Sequence, residues 1–363
     1  MFKIRKKITL KERSEFTLIA LNFRAKKIIT RRLQFISFLV LAFPFQNLEA
    51  QDLRFTQFHA SDTWVNPAFS GIKGQARLEA NFRDQWPSIP QTYVSYRIAF
   101  DALLYEVNSG VGLFISKDDE GQNVLNTLQM GVQYSYQLQL AKNLALSTGI
   151  QAAYVQKSVD WGALQFYDQI DPIYGFTDVA GNPNPTAQLP PADTKLTYPD
   201  FAAGALLFSS KWYVGASANH LTQPNQNFYN ENSSNLPLSV TLQTGLMFFN
   251  EQKIDPVVIN PIAMFTVHKN YKQMMAGSYV KLRNLMGGVF GKYNMQEVTD
   301  VSGIVGLQKG WMTFAYSYDV PLGSLSGESG GAHEVSVVVL FQPSSSKMKT
   351  RLQKHALDCP GIL

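Results

Sequence analysis

The stretch Gln129-Met-Gly-Val-Gln-Tyr-Ser-Tyr-Gln-Leu-Gln-Leu140 decides the fold. Met130, Val132, Tyr134, Tyr136, Leu138 and Leu140 share one parity, and Gln129, Gly131, Gln133, Ser135, Gln137 and Gln139 share the other. Successive side chains of a strand point to opposite faces, so this segment reads as a strand with one apolar and one polar side. A soluble sandwich produces the same alternation. The decision rests on how often the pattern returns and where it is interrupted.

It returns about fourteen times, with runs near 75–84, 91–101, 109–117, 124–140, 143–158, 200–209, 211–220, 237–249, 253–268, 271–283, 286–294, 299–308, 311–320 and 332–342. Thr92, Val94, Tyr96, Ile98 and Phe100 oppose Tyr93, Ser95, Arg97 and Ala99; Val335, Val337, Val339 and Phe341 oppose Glu334 and Ser336. Two runs are poorer. Residues 271–283 alternate badly, and 253–268 contains Pro256 and Pro261, which a central strand avoids.

The interruptions separate by parity. Arg83–Pro90, Asp118–Asn123, Val159–Pro199, Leu221–Leu236 and Pro321–Gly331 follow odd-numbered runs. Ala141-Lys142, Ser210, Asn250–Gln252, Asn284-Leu285 and Lys309-Gly310 follow even ones and are tight. Outer-membrane barrels have an even strand number, short periplasmic turns and long outer loops. The expected fold is therefore all-β, a transmembrane antiparallel barrel of about fourteen strands; a secreted soluble β-protein is the alternative. The apolar parity would face lipid, and the Gln- and Ser-rich parity would line a hydrated or plugged interior rather than an oily core. Arginine at Val132 or Tyr134 should then damage assembly more than arginine at Gln133.

Charged residues make up 16% of the chain, below the usual quarter, while aromatics reach 12%. The net charge of +5 misleads, because residues 1–50 hold 11 of the 32 Lys/Arg and 3 of the 27 Asp/Glu. The remainder carries 21 basic and 24 acidic residues and gives no support for nucleic-acid binding. A lone cysteine, Cys359, excludes an internal disulfide and any multi-cysteine metal site.

Lys26, Lys27, Arg31 and Arg32 precede an apolar run from Leu33 to Phe45, then Asn47-Leu48-Glu49-Ala50-Gln51. That order describes a secretory signal, with an N-terminal membrane anchor as the alternative. The stretch before Lys26 is longer than a signal needs, so translation is expected to start downstream of Met1. Residues 1–50 are assigned to the signal with its extension, and the mature chain is placed from near Gln51. Residues 51–74 lack a period and are assigned to an ordered segment packed on or in the barrel. The barrel itself is assigned to 75–342, and a tail, 343–363, to the periplasm.

No catalytic pattern stands out. His59, His220, His268 and His333 are scattered, without metal-ligand spacing, and no cofactor is implied. His333 and Glu334 are neighbours on one strand and face opposite sides, so they cannot form a dyad. Asp118-Asp119-Glu120-Gly121 lacks EF-hand spacing and reads as a solvated turn. Arg83-Asp84-Gln85-Trp86 closes the first run, either as a partner-contacting loop or, preferably, as a rim stabilised by the Arg83 and Asp84 charges and the Trp86 ring. The connection Val159–Pro199 carries Trp161, Phe166, Tyr167, Tyr174 and Phe176. Long loops are uncommon unless functional or disordered, and aromatics favour interfaces. This loop is the preferred partner-binding surface, with a simple lid over the barrel mouth as the alternative. The tail, with Cys359-Pro360, is a second candidate for contact with periplasmic machinery.

Several segments, in this order, resemble the PorP/SprF family of type IX secretion-associated outer-membrane proteins. They are Phe55-Thr-Gln-Phe58, Asn66-Pro-Ala-Phe-Ser-Gly71, Arg83-Asp-Gln-Trp-Pro87, Phe201-Ala-Ala-Gly204, Tyr213-Val-Gly-Ala-Ser-Ala-Asn-His-Leu221, Tyr316-Ser-Tyr-Asp319 and Gly331-Ala-His-Glu-Val-Ser336. The resemblance implies a FadL-like barrel in the outer membrane of a Gram-negative cell, without enzymatic activity. It also implies partners: a secreted surface adhesin or type IX cargo, translocon components and periplasmic lipoproteins, in protein secretion or gliding motility. A diffusion channel or hydrophobic-solute transporter is the runner-up, since fold does not fix function.

Overall fold

The computed structural model describes residues 55–89, 93–229, 234–249, 257–322 and 327–341. The expected signal, its cleavage point and the tail with Cys359 and Pro360 lie outside these residues. Fourteen antiparallel strands form one closed barrel. In chain order they are β1 (Ala76–Gln85), β2 (Tyr93–Leu104), β3 (Ser109–Glu120), β4 (Leu125–Ala141), β5 (Leu144–Val159), β6 (Lys195–Ser209) and β7 (Trp212–Asn219). The second half comprises β8 (Ser239–Leu246), β9 (Val258–His268), β10 (Tyr271–Leu282), β11 (Leu285–Tyr293), β12 (Val298–Lys309), β13 (Met312–Pro321) and β14 (Ala332–Phe341). Each pairs with its sequence neighbours, and β1 pairs with β14 from Ala76↔Phe341 to Gln85↔Ala332. Closure leaves no free edge, so every strand bonds on both sides. Among the described residues no helix is long and apolar enough to cross a membrane.

The faces follow the parity of β4. Val132 is 53% exposed on the outer wall, whereas Gln133 is 4% exposed inside. Phe100, Leu113, Ile115, Ile150, Val214, Leu242, Val289, Val305 and Phe314 continue the exposed apolar wall around the barrel. An apolar face of this extent is stable only against lipid.

Two poorly patterned runs are strands after all, and the prolines explain how. Ile259 exchanges both backbone bonds with Phe248, so by the two-residue parity of a strand the Pro261 nitrogen also faces β8. There the ladder is interrupted between Gly245↔Ile262 and the Phe248↔Ile259 bridge, which is where the missing Pro261 N–H falls. Pro199 lies within β6 and not before it. It shares parity with Phe201, whose carbonyl bonds Leu221 beyond β7, on an edge where regular β6–β7 pairing starts only at Ala203. The expected loop Val159–Pro199 therefore shortens to 160–194. The loop parity also has exceptions. Eleven residues separate β8 from β9 although the connection follows an even strand, and β9 turns into β10 through Lys269-Asn270 alone.

The interior departs from the expectation of a purely polar lumen. Strands β6 to β13 turn Leu206, Phe208, Tyr213, Ile262, Met264, Met275, Tyr279, Met286, Phe290, Ile304 and Ala315 inward, against Phe58, Val65, Phe69 and Ile72. Strands β1 to β5 and β8, with the long-loop ends of β13 and β14, present a mainly polar inner wall.

Candidate functional site

Residues 55–74 occupy the lumen. They form two short turns, the helix Asp62–Val65 and the 3-10 turn Pro67–Phe69, with the Asn66 side chain accepting from the Ala68 N–H. Nearly every side chain from Phe55 to Ile72 is buried. Short turns leave many backbone groups unpaired, and in a lumen those groups must find partners in the wall. They do so around most of the circumference. Ser217 donates to the Val65 carbonyl at 2.7 Å, Ser147 to Ala68 at 2.7 Å and Ser135 to Ser70 at 2.7 Å. The Asn66 amide donates to the Ala205 and Ala216 carbonyls, at 3.2 and 3.1 Å. Gln133 donates to Thr63 at 2.7 Å and accepts from Ser70 at 2.9 Å. An arginine at Gln133 would break both bonds and press on the segment rather than on the lipid-facing wall.

Two wall glycines allow this approach. A methyl at Gly149 would lie 2.4 Å from the Ala68 nitrogen, and one at Gly204 would lie 2.0 Å from Asn66 Oδ1. No side chain fits where segment and wall touch.

Two buried charge clusters fix the segment to β1. Arg77 meets Asp62 at 2.8 Å, Glu79 at 2.9 Å and Asp101 at 2.8 Å. Arg97 lies 4.6 Å above the Phe114 ring and donates to Thr63 at 3.2 Å. The second cluster joins Arg83 to Asp319 at 2.8 Å and Glu334 at 3.0 Å, with Lys292 on Asp319 at 2.7 Å. The fully buried Glu334 carboxylate accepts the backbone N–H groups of Thr56 at 2.7 Å and Gln57 at 2.8 Å. A buried ion pair is weak evidence for net stability, but losing one partner strands the other charge. These clusters therefore specify how the segment docks. His59 is hydrogen-bonded to Tyr279; burial, and secondarily the charge of Lys73, pushes its imidazole down to about 3, so it stays neutral.

The rim motif divides accordingly. Arg83 points inward to Asp319 and Glu334 and makes no ion pair with Asp84; it also donates to Gln85 at 3.2 and 3.3 Å. Trp86 packs edge-on against Tyr93 at 5.4 Å, and its backbone N–H donates to the Gly331 carbonyl at 2.8 Å. His333 faces away from Glu334, bonded to the Tyr316 hydroxyl at 2.7 Å. Folding joins two of the scattered histidines: His220 bonds Asp200 at 2.8 Å and lies 6.2 Å from the His268 ring. Among the described residues no group of three or more His, Cys, Asp or Glu is arranged to hold a metal.

The loop 160–194 is ordered by its aspartates. Asp171 accepts from the Ile173 and Tyr174 N–H groups, Asp178 from Ala180 and Asn182, and Asp168 from Ala187 and Thr186. These bonds, led by Ala187 N–H for Asp168, Tyr174 N–H for Asp171 and the Asn182 side chain for Asp178, hold all three carboxyls below the usual aspartate range. The five aromatic candidates are not equivalent. Trp161 packs on Phe166 at 4.9 Å and on Tyr229 of the 220–238 loop at 6.3 Å, so this pair holds the loop together. Tyr167 is 91% exposed, and Tyr174 and Phe176 are partly exposed beside Ile173, Val179 and Leu189. The aliphatic three were not singled out in the sequence; only a turn-by-turn reading of the Asx positions would have raised them to tips.

Among solved structures, the chain is similar to Omp33 of Acinetobacter baumannii, with 8% identity over 75% of this chain and 100% of that one, TM-score 0.42. The toluene transporter TodX of P. putida matches with 11% identity over 77% and 93%, TM-score 0.40. A Pseudomonas aeruginosa FadL homologue matches with 12% identity over 78% and 94%, TM-score 0.40. No curated protein matches the sequence. The family model described as type IX secretion system membrane protein PorP/SprF matches residues 47–339, almost the entire barrel with its plug segment. The chain therefore belongs to the PorP/SprF family of type IX secretion system membrane proteins, and its fourteen-strand barrel resides in the outer membrane.

Proposed function

We propose that this barrel is a non-enzymatic anchor of the type IX machinery, holding a secreted surface adhesin or cargo protein at its long-loop end. The observation that carries this reading is the filled lumen: residues 55–72 are almost all buried and bonded to strands around most of the wall. A barrel stoppered in this way is suited to holding a partner rather than to passing solute, which supports the anchor over the diffusion-channel alternative. What remains for recognition is the loop 160–194, with Tyr167, Ile173, Tyr174, Val179 and Leu189 projecting from turns fixed by Asp168, Asp171 and Asp178. Aromatic anchors commonly dominate interface energetics, at about 2 kcal/mol or more each. The periplasmic tail, with Cys359-Pro360, is the second proposed contact, toward translocon components or periplasmic lipoproteins.

The test replaces 160–194 by a Gly/Ser turn. Heat-modifiable gel migration should show an assembled barrel, and surface labelling of the co-expressed adhesin should show reduced retention. Undiminished display on a correctly assembled, loop-deleted barrel would refute the loop as the holding surface and leave the tail.

A further inference from the structure

The plug segment runs against the direction that strand parity alone would give it. Fourteen strands put the start of β1 and the end of β14 at the same, short-turn end of the barrel, since Ala76 pairs with Phe341. Residues immediately before β1 lie at that end too. Ser70 and Gly71 are held by the Ser135 hydroxyl and the Asp101 carboxylate, beside Gly110, the second residue of β3. From there the chain, followed backwards, climbs the lumen. Thr56 and Gln57 end on Glu334, Thr56 also on Asp319 and Arg83. Arg83 is two residues from the end of β1, Asp319 two from the end of β13, and Glu334 two from the start of β14. All three ends are long-loop ends. Toward the short turns the wall turns Phe208, Tyr213, Tyr279 and Met286 of the apolar cluster inward.

We infer that the Thr56 end of the plug is latched at the long-loop mouth of the lumen, on the cell-surface side, although β1 enters the wall from the periplasmic side. This rests on assigning the long loops to the cell surface, as the proposed function does. The consequence is mechanical. The Thr56 end is held at the mouth opposite the short turns, so a periplasmic pull does not act on it directly. The part of the plug nearest the periplasm is the 70–75 stretch leading into β1.

The experiment uses full-length chains carrying Cys359→Ser and one new cysteine, labelled on intact cells with a membrane-impermeant maleimide. Asp52→Cys, three residues before Phe55, reports that end of the plug, Val179→Cys the long loop and Lys142→Cys the β4–β5 turn; heat-modifiable migration verifies assembly of each. The expected result is that Asp52→Cys labels on intact cells to the extent that Val179→Cys does, while Lys142→Cys labels only after the outer membrane is permeabilised. Labelling of Asp52→Cys only together with Lys142→Cys would overturn the inference. So would its failure to label in either state while labelling after unfolding. If Asp52→Cys and Val179→Cys both require permeabilisation and Lys142→Cys does not, the threading stands and the surface role of the loop falls.

Discussion

Replacing Glu334 by glutamine perturbs the latch at one point while conserving its shape. The carboxylate accepts two plug N–H groups, at 2.7 and 2.8 Å, and an ion pair from Arg83 at 3.0 Å, in full burial. An amide offers one oxygen for those three donors, so its NH2 must face either the plug backbone or the guanidinium. Removing one partner of a buried charge pair costs about 3–5 kcal/mol, and Asp319, 2.8 Å from Arg83, keeps the loss toward the lower figure. At about 1.4 kcal/mol per tenfold, the undocked population of the plug's outer end should rise between about a hundredfold and a few thousandfold. Hydrogen exchange of the purified barrel in nanodiscs reads this directly. Exchange at Thr56 and Gln57 should accelerate by that factor, while the β4 and β5 amides keep their protection. Unchanged protection at 56–57, or a loss spread evenly over the barrel, would refute the latch.

Three further outcomes follow from the same geometry. Arginine at Val132 should cost about 2–4 kcal/mol near the bilayer midplane, read as lost heat-modifiable barrel; arginine at Gln133 should instead leave the wall intact and expose residues 63–70 to proteolysis. Purified wild type should show no stable large conductance in planar bilayers, whereas Gly204→Val, whose side chain meets Asn66, should raise channel openings by unseating the plug. Asp168, Asp171 and Asp178 have depressed pKa values, so their contribution to the loop is complete above the unfolded aspartate value of about 3.9 and is lost as pH falls through the lower folded values. Fluorine NMR of a fluorotyrosine at position 174 should therefore be unchanged from neutral pH to about 4 and broaden only below it.

The wall was legible because lipid demands a strict rule: in β4 the outward residues must be apolar, and the sequence alternates accordingly. The same rule failed where the inner face is apolar too. In β10, Tyr271, Met275 and Tyr279 point inward and Met274, Val280 and Leu282 outward, so apolar residues fall on both parities. Pro199 and Pro261 misled because a strand tolerates proline where its neighbour's ladder stops, and that depends on partners distant in sequence. The plug was expected in or on the barrel from its lack of period, but its partners were not readable. Glu334 stands 278 residues from Thr56, and only the closed barrel brings them within 2.7 Å. Arg83 was assigned to the rim with Asp84, yet strand alternation already separates that pair and turns Arg83 toward Asp319.

The central claim is that the partner is held outside the barrel and does not pass through it. Site-specific photo-crosslinking in living cells tests this most directly, with the crosslinking residue at exposed Tyr167 or Tyr174 and, separately, at lumen-facing Ser302 or Met275. The anchor reading predicts that the secreted protein crosslinks to positions 167 and 174 and not to 302 or 275. Crosslinks from the lumen positions to secreted cargo would contradict it and make the barrel a conduit.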